Sequence, residues 1–277
     1  MIDRGAVQAW AGRLKLAVDA RRRRQGNGTR LGGGPGASLE FHDHRPYLPG
    51  DDLRHLDWGV LARTDQLLLR RYRIETAPRV EVLLDASSSL GIDPRKTTLA
   101  CECLLLLALL ARGDGARCAI WVATDRWQRY EPQGLEARLD TLTPTGAAGF
   151  EALPGPALMP GAQRILIGDG LNPGGGPALV ARLGREAGQV SLVQILTPEE
   201  QDPAACGPVI LADVEGGEQE VVRDRTLVTA YRERLARHLA GWDQALGGRG
   251  AGMMRCSTAE GLEGAVAAMT TAGLVHP

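Results

Sequence analysis

The sequence predicts an α/β protein, a doubly wound and mostly parallel sheet with helices on both faces. An N-terminal helix and a small β-containing extension are expected to pack on it. Short apolar, β-branched runs at 80–84, 117–123, 164–167 and 190–196 have the length of buried strands. Stretches of helical length lie between most of them, the alternation that builds a parallel sheet. The first run delivers Asp85-Ala86-Ser87-Ser88-Ser89, small polar residues where a strand of such a sheet meets its ligand-binding edge.

Bulk properties narrow the class. At 277 residues, 44% apolar content and a formal net charge of −1, the chain has the profile of a globular protein of one large or two small domains. Near-neutral charge argues against a protein that coats nucleic acid. Lys15 and Lys96 are the only lysines, a bias read as base composition with no functional meaning. The cysteines, Cys101, Cys103, Cys118, Cys206 and Cys256, form no C-x-x-C pair and read as reduced, mostly buried thiols. The most apolar stretch, Cys103 to Ala111, is about half the ~20 residues a membrane span needs. The start of the chain is charged and without an apolar core, so no signal peptide is expected and the cytoplasm is the expected location.

Element by element, Val7, Trp10, Leu14 and Val18 recur with helical spacing, predicting an amphipathic helix over 6–24 closed by Arg21–Arg24. The Gly-rich stretch from Gly26 to Gly36 is a loop. It lacks both the G-K-[ST] ending and the preceding strand of a phosphate loop. Residues 38–79 are dense with charge. Leu67–Leu69 with Tyr72–Ile74 read as a strand, and Pro49-Gly50-Asp51-Asp52 as a turn. Asp93-Pro94 opens a helix to Arg112, Trp127–Tyr130 is an edge strand, and Leu135–Leu142 and Leu179–Ala187 are helical. A hairpin over 208–222, a helix over 227–246, a strand over 252–257 and a helix over 259–272 complete the pattern. The organisation expected is a segment 1–78 followed by a sheet domain 79–277.

Asp85, Ser87 and Ser89 place one carboxylate and two hydroxyls at a strand end, a hard-cation pattern that leaves room for waters and a partner's carboxylate. Two further signatures precede it. One is Phe41-His42-Asp43-His44-Arg45-Pro46-Tyr47. The other is Pro49-Gly50-Asp51-Asp52-Leu53-Arg54-His55-Leu56-Asp57-Trp58, followed by Ala62-Arg63. In this order and spacing they closely resemble the bacterial von Willebrand factor A-like proteins grouped as domain of unknown function 58, which are typically encoded beside MoxR-type AAA+ ATPases. The likeness runs from near Gly36 through Pro198-Glu199 and Leu211–Glu215 to Tyr231 and His238.

The resemblance implies a von Willebrand A fold and a partner or adaptor of such an ATPase, acting on a client complex, rather than an enzyme. It also implies a metal-ion-dependent adhesion site made by Asp85, Ser87, Ser89 and Asp169, with Mg²⁺ or Mn²⁺ and no organic cofactor. The threonine that completes such sites is expected at position 148, which is Ala148, with Gly149 where an Asp often follows. Four ligands suit weak Mg²⁺ binding. They equally suit a vestigial site whose hydroxyls cap a helix and order the loop. Arg45, Tyr47, Asp51, Asp52, Arg54, Asp57, Trp58 and Arg63 read as a salt-bridged structural or docking motif. A transition-metal site at His42, His44 and His55 is the weaker reading of the histidines.

Two other functions compete. A metal-dependent hydrolase would need a base besides the cation, yet position 87 is Ser, not the Asp of D-x-D, and no G-x-S-x-G elbow surrounds it. Nucleic-acid binding through Arg21–Arg24, Arg70, Arg71 and Arg73 lacks aromatic stacking platforms. Neither nucleic acid nor membrane insertion is expected.

Overall fold

The structure is a computed structural model that describes residues 2–18, 38–75, 77–146, 153, 155–172, 174–203, 209–211, 220–222, 225–247 and 252–277. In chain order the elements are α1 (Arg4–Ala11), β1 (Lys15–Leu16), β2 (Ser38–Pro46), α2 (Trp58–Thr64), β3 (Leu68–Glu75), β4 (Arg79–Asp85) and α3 (Pro94–Gly113). There follow β5 (Arg117–Ala123), β6 (Trp127–Tyr130), α4 (Leu135–Asp140), β7 (Gln163–Gly168), α5 (Gly175–Leu183), β8 (Gln189–Leu196) and α6 (Pro198–Gln201). The last are β9 (Val209–Leu211), β10 (Glu220–Val222), α7 (Arg225–Gly247), β11 (Met253–Ser257), α8 (Gly261–Thr271) and β12 (Val275–His276). They form two compact units, Met1–Val18 with Arg79–Pro277, and Asp19–Pro78.

In the larger unit six strands form one sheet in the order β11-β8-β7-β4-β5-β6, with only β6 antiparallel to its neighbour. The chain enters at the central strand β4, moves outward through β5 and β6, then returns to β7 on the opposite side of β4. Adjacent strands whose connections leave in opposite directions open a crevice at their carboxyl ends. That crevice lies between β4 and β7.

The pleat sends alternate side chains of β4 to opposite faces. Val80, Val82 and Leu84 join an apolar cluster with α1, α3, α4 and α8 residues, whereas Leu83 joins a second one with Leu179, Val180, Trp242 and Leu246 from α5 and α7. Helix α3 is buried on nearly all sides, which explains its uninterrupted Leu104–Leu107 run. Its start is set by Pro94 and by the Asp93 carboxylate, which accepts from Arg95 N at 2.7 Å.

The expected helix over 6–24 is corrected. Asp3 caps α1, which ends at Ala11 with Gly12 as its C-cap. Leu14 and Leu16 are buried beyond that stop, and Leu16 lies in β1, which pairs with Val275–His276 of β12. Leu14 thus fits the helical spacing but lies past the helix end, in the turn that leads into β1, and Arg21–Arg24 lie outside the described residues. Met1–Val18 belongs to the larger unit, whereas the sequence reading placed it with the segment up to residue 78. The helix expected at Leu179–Ala187 begins earlier, at Gly175, and ends at Leu183, where Gly184 is the C-cap. Strands β9 and β10 pair antiparallel within the expected hairpin span, while its turn lies outside the described residues.

In the smaller unit β2 and β3 pair antiparallel with a bulge between Phe41 and Asp43. The Pro49-Gly50 turn needs Gly50, whose φ is +102°. A 3₁₀ turn at Leu53–His55 then leads into α2. Among the described residues, no helix is long and apolar enough to cross a membrane.

Candidate functional site

Asp85 is the last residue of β4, and Asp169 follows β7 directly, so the pairing of these two strands brings both carboxylates to one edge. Gly168 permits the approach: a Cβ there would lie 2.9 Å from Asp85 Cβ. Both side chains are buried, with Asp85 6% and Asp169 5% exposed. Ser87, Ser88 and Ser89 are half-buried and give the edge its opening to the outside.

The hydrogen bonds around Asp85 all come from neutral groups. Ser87 N donates to Asp85 Oδ1 at 3.1 Å, and the nearby Ser87 hydroxyl and Asn172 side chain favour the charged carboxylate. Burial, and then the charge of Asp169, push the Asp85 carboxyl up to about 7 against these bonds. Among the described residues no cationic side chain pairs with it. The Ser87 and Ser89 hydroxyl oxygens are 3.0 Å apart, and Ser87 makes no capping bond to the following 3₁₀ turn. Helix α3 is capped by Asp93 instead, so helix capping is not the task of these hydroxyls.

Asp169 is held differently. Its Oδ1 accepts from Leu171 N at 3.1 Å, and its Oδ2 from Lys96 Nζ at 3.2 Å. The loop after it is fixed from behind: Gln194 Nε2 donates to Asp169 O at 2.8 Å, and Trp242 Nε1 to Gly170 O at 2.8 Å. His238 Nε2 lies 2.6 Å from the same Gly170 oxygen. Helix α7 therefore supports the site loop directly, through a tryptophan that is 1% exposed.

A second loop runs alongside. Ser87 bridges to Gly146 in parallel fashion, and Ser88 N donates to Gly146 O at 3.0 Å. The Thr143 and Thr145 side chains are exposed, while Ala148 and Gly149 lie outside the described residues. The oxygen donors that the sequence singled out, Asp85, Ser87, Ser89 and Asp169, thus share one edge. A buried carboxylate with no cationic partner beside two hydroxyl oxygens is a donor set that fits a hard divalent cation. Among the described residues no three His, Cys, Asp or Glu side chains make a metal-binding group, so any such site rests on the serines.

Sequence reasoning missed Lys96, Asn172 and Glu200. Lys96 was visible only as one of two lysines in an Arg-rich chain. Glu200 was readable as the fourth position of Thr197-Pro198-Glu199-Glu200, which forms a reciprocal capping box.

The other motif resolves into two separate clusters in the smaller unit, one at Asp51 and one at Asp57. Arg45 clasps Asp51 through both terminal nitrogens, at 2.7 and 2.6 Å, and Leu48 N donates to Asp51 Oδ2. The guanidinium contact, then the Leu48 amide, hold the Asp51 carboxyl below its usual range. Asp57 caps α2 through Gly59 and Val60 N and receives Arg70 and His44. Arg70 first, and then His44, lower its carboxyl well below the usual range.

Arg54 and Arg63, expected in the same network, stand apart. Arg54 is 4.0 Å from Asp52 with its side chain 89% exposed, and Arg63 Nε donates to Gly59 O of its own helix. Asp52 accepts from Arg54 N, and Tyr47 N donates to Leu67 O. Trp58, Leu48, Leu53 and Leu67 are exposed. His44 is a partner of Asp57, and the His42 side chain lies outside what is described. Arg70 is committed to Asp57, and the side chains of Arg71 and Arg73 are likewise outside it.

A family model described as "Protein of unknown function DUF58" matches residues 43–241, which spans both the Asp57 motif and the sheet edge. The chain belongs to the DUF58 family. Uncharacterized proteins of Mycobacterium bovis and of two strains of Mycobacterium tuberculosis are each 28% identical to it over 231 residues, covering 77% of this chain and 72% of theirs. The DUF58 match ends within α7, after Tyr231 and His238 and just before Trp242.

Proposed function

We propose that this DUF58 protein is a non-enzymatic protein-interaction module of von Willebrand A type, located in the cytoplasm. Its partner is a MoxR-type AAA+ ATPase, and the pair remodels or matures a client complex. The observation that carries the reading is the meeting of Asp85 and Asp169 at the switch point of the sheet, with Ser87 and Ser89 half-open beside them.

Asp85, Ser87 and Ser89 are the residues that would hold Mg²⁺ or Mn²⁺, with Asp169 behind them. When bound, the cation supplies positive charge for a carboxylate of the partner. Asn172 and Ser87 N orient the Asp85 carboxylate, and Gly168 lets the two strand ends close. In the smaller unit, the Arg45–Asp51 and Asp57–Arg70 bonds hold a surface that presents Leu48, Leu53, Trp58 and Leu67, and this surface serves a second contact. Its chemistry is apolar, as hot spots of protein interfaces are.

The test is a pull-down from the native host with wild type and Asp85→Ala, each with Mg²⁺ and with a chelator. Recovery of an AAA+ ATPase by wild type in Mg²⁺ and its loss in Asp85→Ala sustain the reading. Recovery by both, with or without metal, removes the cation from the partnership, and recovery by neither removes the ATPase.

A further inference from the structure

Lys96 is one of two lysines among 32 basic residues, and its side chain is 0% exposed. Its ammonium has three N–H donors and three oxygen acceptors: Ser89 O at 3.1 Å, Asp169 Oδ2 at 3.2 Å and Glu200 Oε1 at 2.6 Å. These oxygens belong to the segments that follow β4, β7 and β8, three neighbouring parallel strands. A compact ammonium can face three directions at once, whereas the planar fork of Arg cannot. Glu200 is itself fixed. Its Oε2 accepts from Thr197 N at 2.8 Å, and its carbonyl accepts from the Tyr231 hydroxyl at 2.5 Å.

Resting on the cation-site reading of this edge, we infer that Lys96 is a tethered cation that already supplies part of the positive charge the site requires. It neutralises Asp169 and joins the three segments in the absence of any metal. Asp85 is then the one buried carboxylate left for an incoming ion. Lys96 is a positioning residue in this scheme. Its removal leaves Asp169 and Glu200 without a counter-charge, and a divalent ion becomes the substitute.

The experiment is thermal melting of the full chain in chelator and in Mn²⁺. It compares wild type, Lys96→Met, Asp169→Asn, Lys96→Met/Asp169→Asn and Lys96→Met/Glu200→Gln, with Asp85→Ala as the metal-site control. In chelator, Lys96→Met is expected to melt roughly 6–20 °C below wild type, the range for a broken buried ion pair in a protein of this size. Adding Asp169→Asn to it restores part of the loss, and Mn²⁺ raises the melting point of Lys96→Met more than that of wild type.

A Lys96→Met that melts with wild type in chelator overturns the inference. So does a deficit that neither Asp169→Asn nor Glu200→Gln repairs, because the lysine then acts through packing alone. So does an equal rise in melting point with Mn²⁺ in both proteins. Should Lys96→Met not fold, the double variants carry the test: either one folded sustains the inference, and both unfolded overturn it. A wild type silent to Mn²⁺ removes the metal from the proposed function but leaves rescue by Asp169→Asn or Glu200→Gln in force. Mn²⁺ binding that Asp85→Ala abolishes, without either rescue, keeps the metal and discards the role of Lys96.

Discussion

Arg164 and Glu81 form an ion pair at 2.9 Å inside the larger unit, on the two strands whose other ends carry Asp169 and Asp85. Arg164 is 2% exposed, and its guanidinium also donates to Met159 O at 2.9 Å, to Arg185 O at 2.7 Å and to Leu183 O. Glu81 Oε1 accepts from Met159 N at 3.0 Å. One end of the β4–β7 pair is thus locked by opposite charges, while the other holds two carboxylates together. Removing one partner of a buried pair leaves the other uncompensated and costs roughly 3–5 kcal/mol. Arg164→Met is expected to lose at least that much stability by chemical denaturation, and more than Glu81→Gln, because it also strands three carbonyls.

Asp85 gives the metal-free protein a pH dependence whose sign is fixed. Its carboxyl stands at about 7 in the fold against an ordinary 3.8, because it is buried and faces Asp169. Between those values the folded chain keeps a proton that the unfolded chain has released, so stability falls as pH rises from about 4 to about 7. At about 1.4 kcal/mol per tenfold, the span is worth on the order of 4 kcal/mol. Asp85→Asn is expected to flatten that part of the profile and to be the more stable protein at pH 8 in chelator. Urea unfolding at pH 5 and pH 8 checks both.

The parallel strands were legible because each is a short apolar run with turn residues after it, as Val80–Leu84 before Asp85-Ala86-Ser87 illustrates. Helical spacing misled past Ala11, where the helix has ended and Leu16 is buried in a strand paired with β12 at the far end of the sequence. The D-x-S-x-S spacing put one carboxylate and two hydroxyls on one edge because the loop itself brings them together. Lys96 could not be read in this way. Nothing local distinguishes a solvated helix lysine from one whose ammonium meets Asp169 and Glu200, 73 and 104 residues away. Asn172 was hidden for the same reason: it comes near Asp85 only once β4 and β7 have paired.

Gly168 tests how tightly that pairing sets the site. The Cβ introduced by Gly168→Ala would sit 2.9 Å from Asp85 Cβ, closer than two such atoms pack. Strand β7 lies inside the sheet between β4 and β8, so neither neighbour has room to withdraw. Overpacking of this kind typically costs about 1–3 kcal/mol. Gly168→Ala is expected to lower stability by that amount and to weaken any Mn²⁺ binding that Asp85→Ala abolishes. Calorimetric titration of the folded fraction measures the second effect separately from the first.

Asp57 and Trp58 are neighbours with opposite surroundings, and substitution separates what each does. Asp57 is 7% exposed and closes the start of α2 while holding Arg70 and His44. Trp58, the first residue of that helix, is 63% exposed. Asp57→Ala removes the helix cap and both partners, so amide-exchange protection at Gly59 and Val60 should collapse. The carboxyl lies below its usual range in the fold, so its stabilisation is complete above about pH 4 and is lost only under stronger acid. Trp58→Ala touches no such bond and should stay within about ±0.5 kcal/mol of wild type, as exposed substitutions do. If the motif is a docking surface, Trp58→Ala should nonetheless abolish recovery of the ATPase in the pull-down. Unchanged recovery would restrict the Asp57 motif to holding its own unit together.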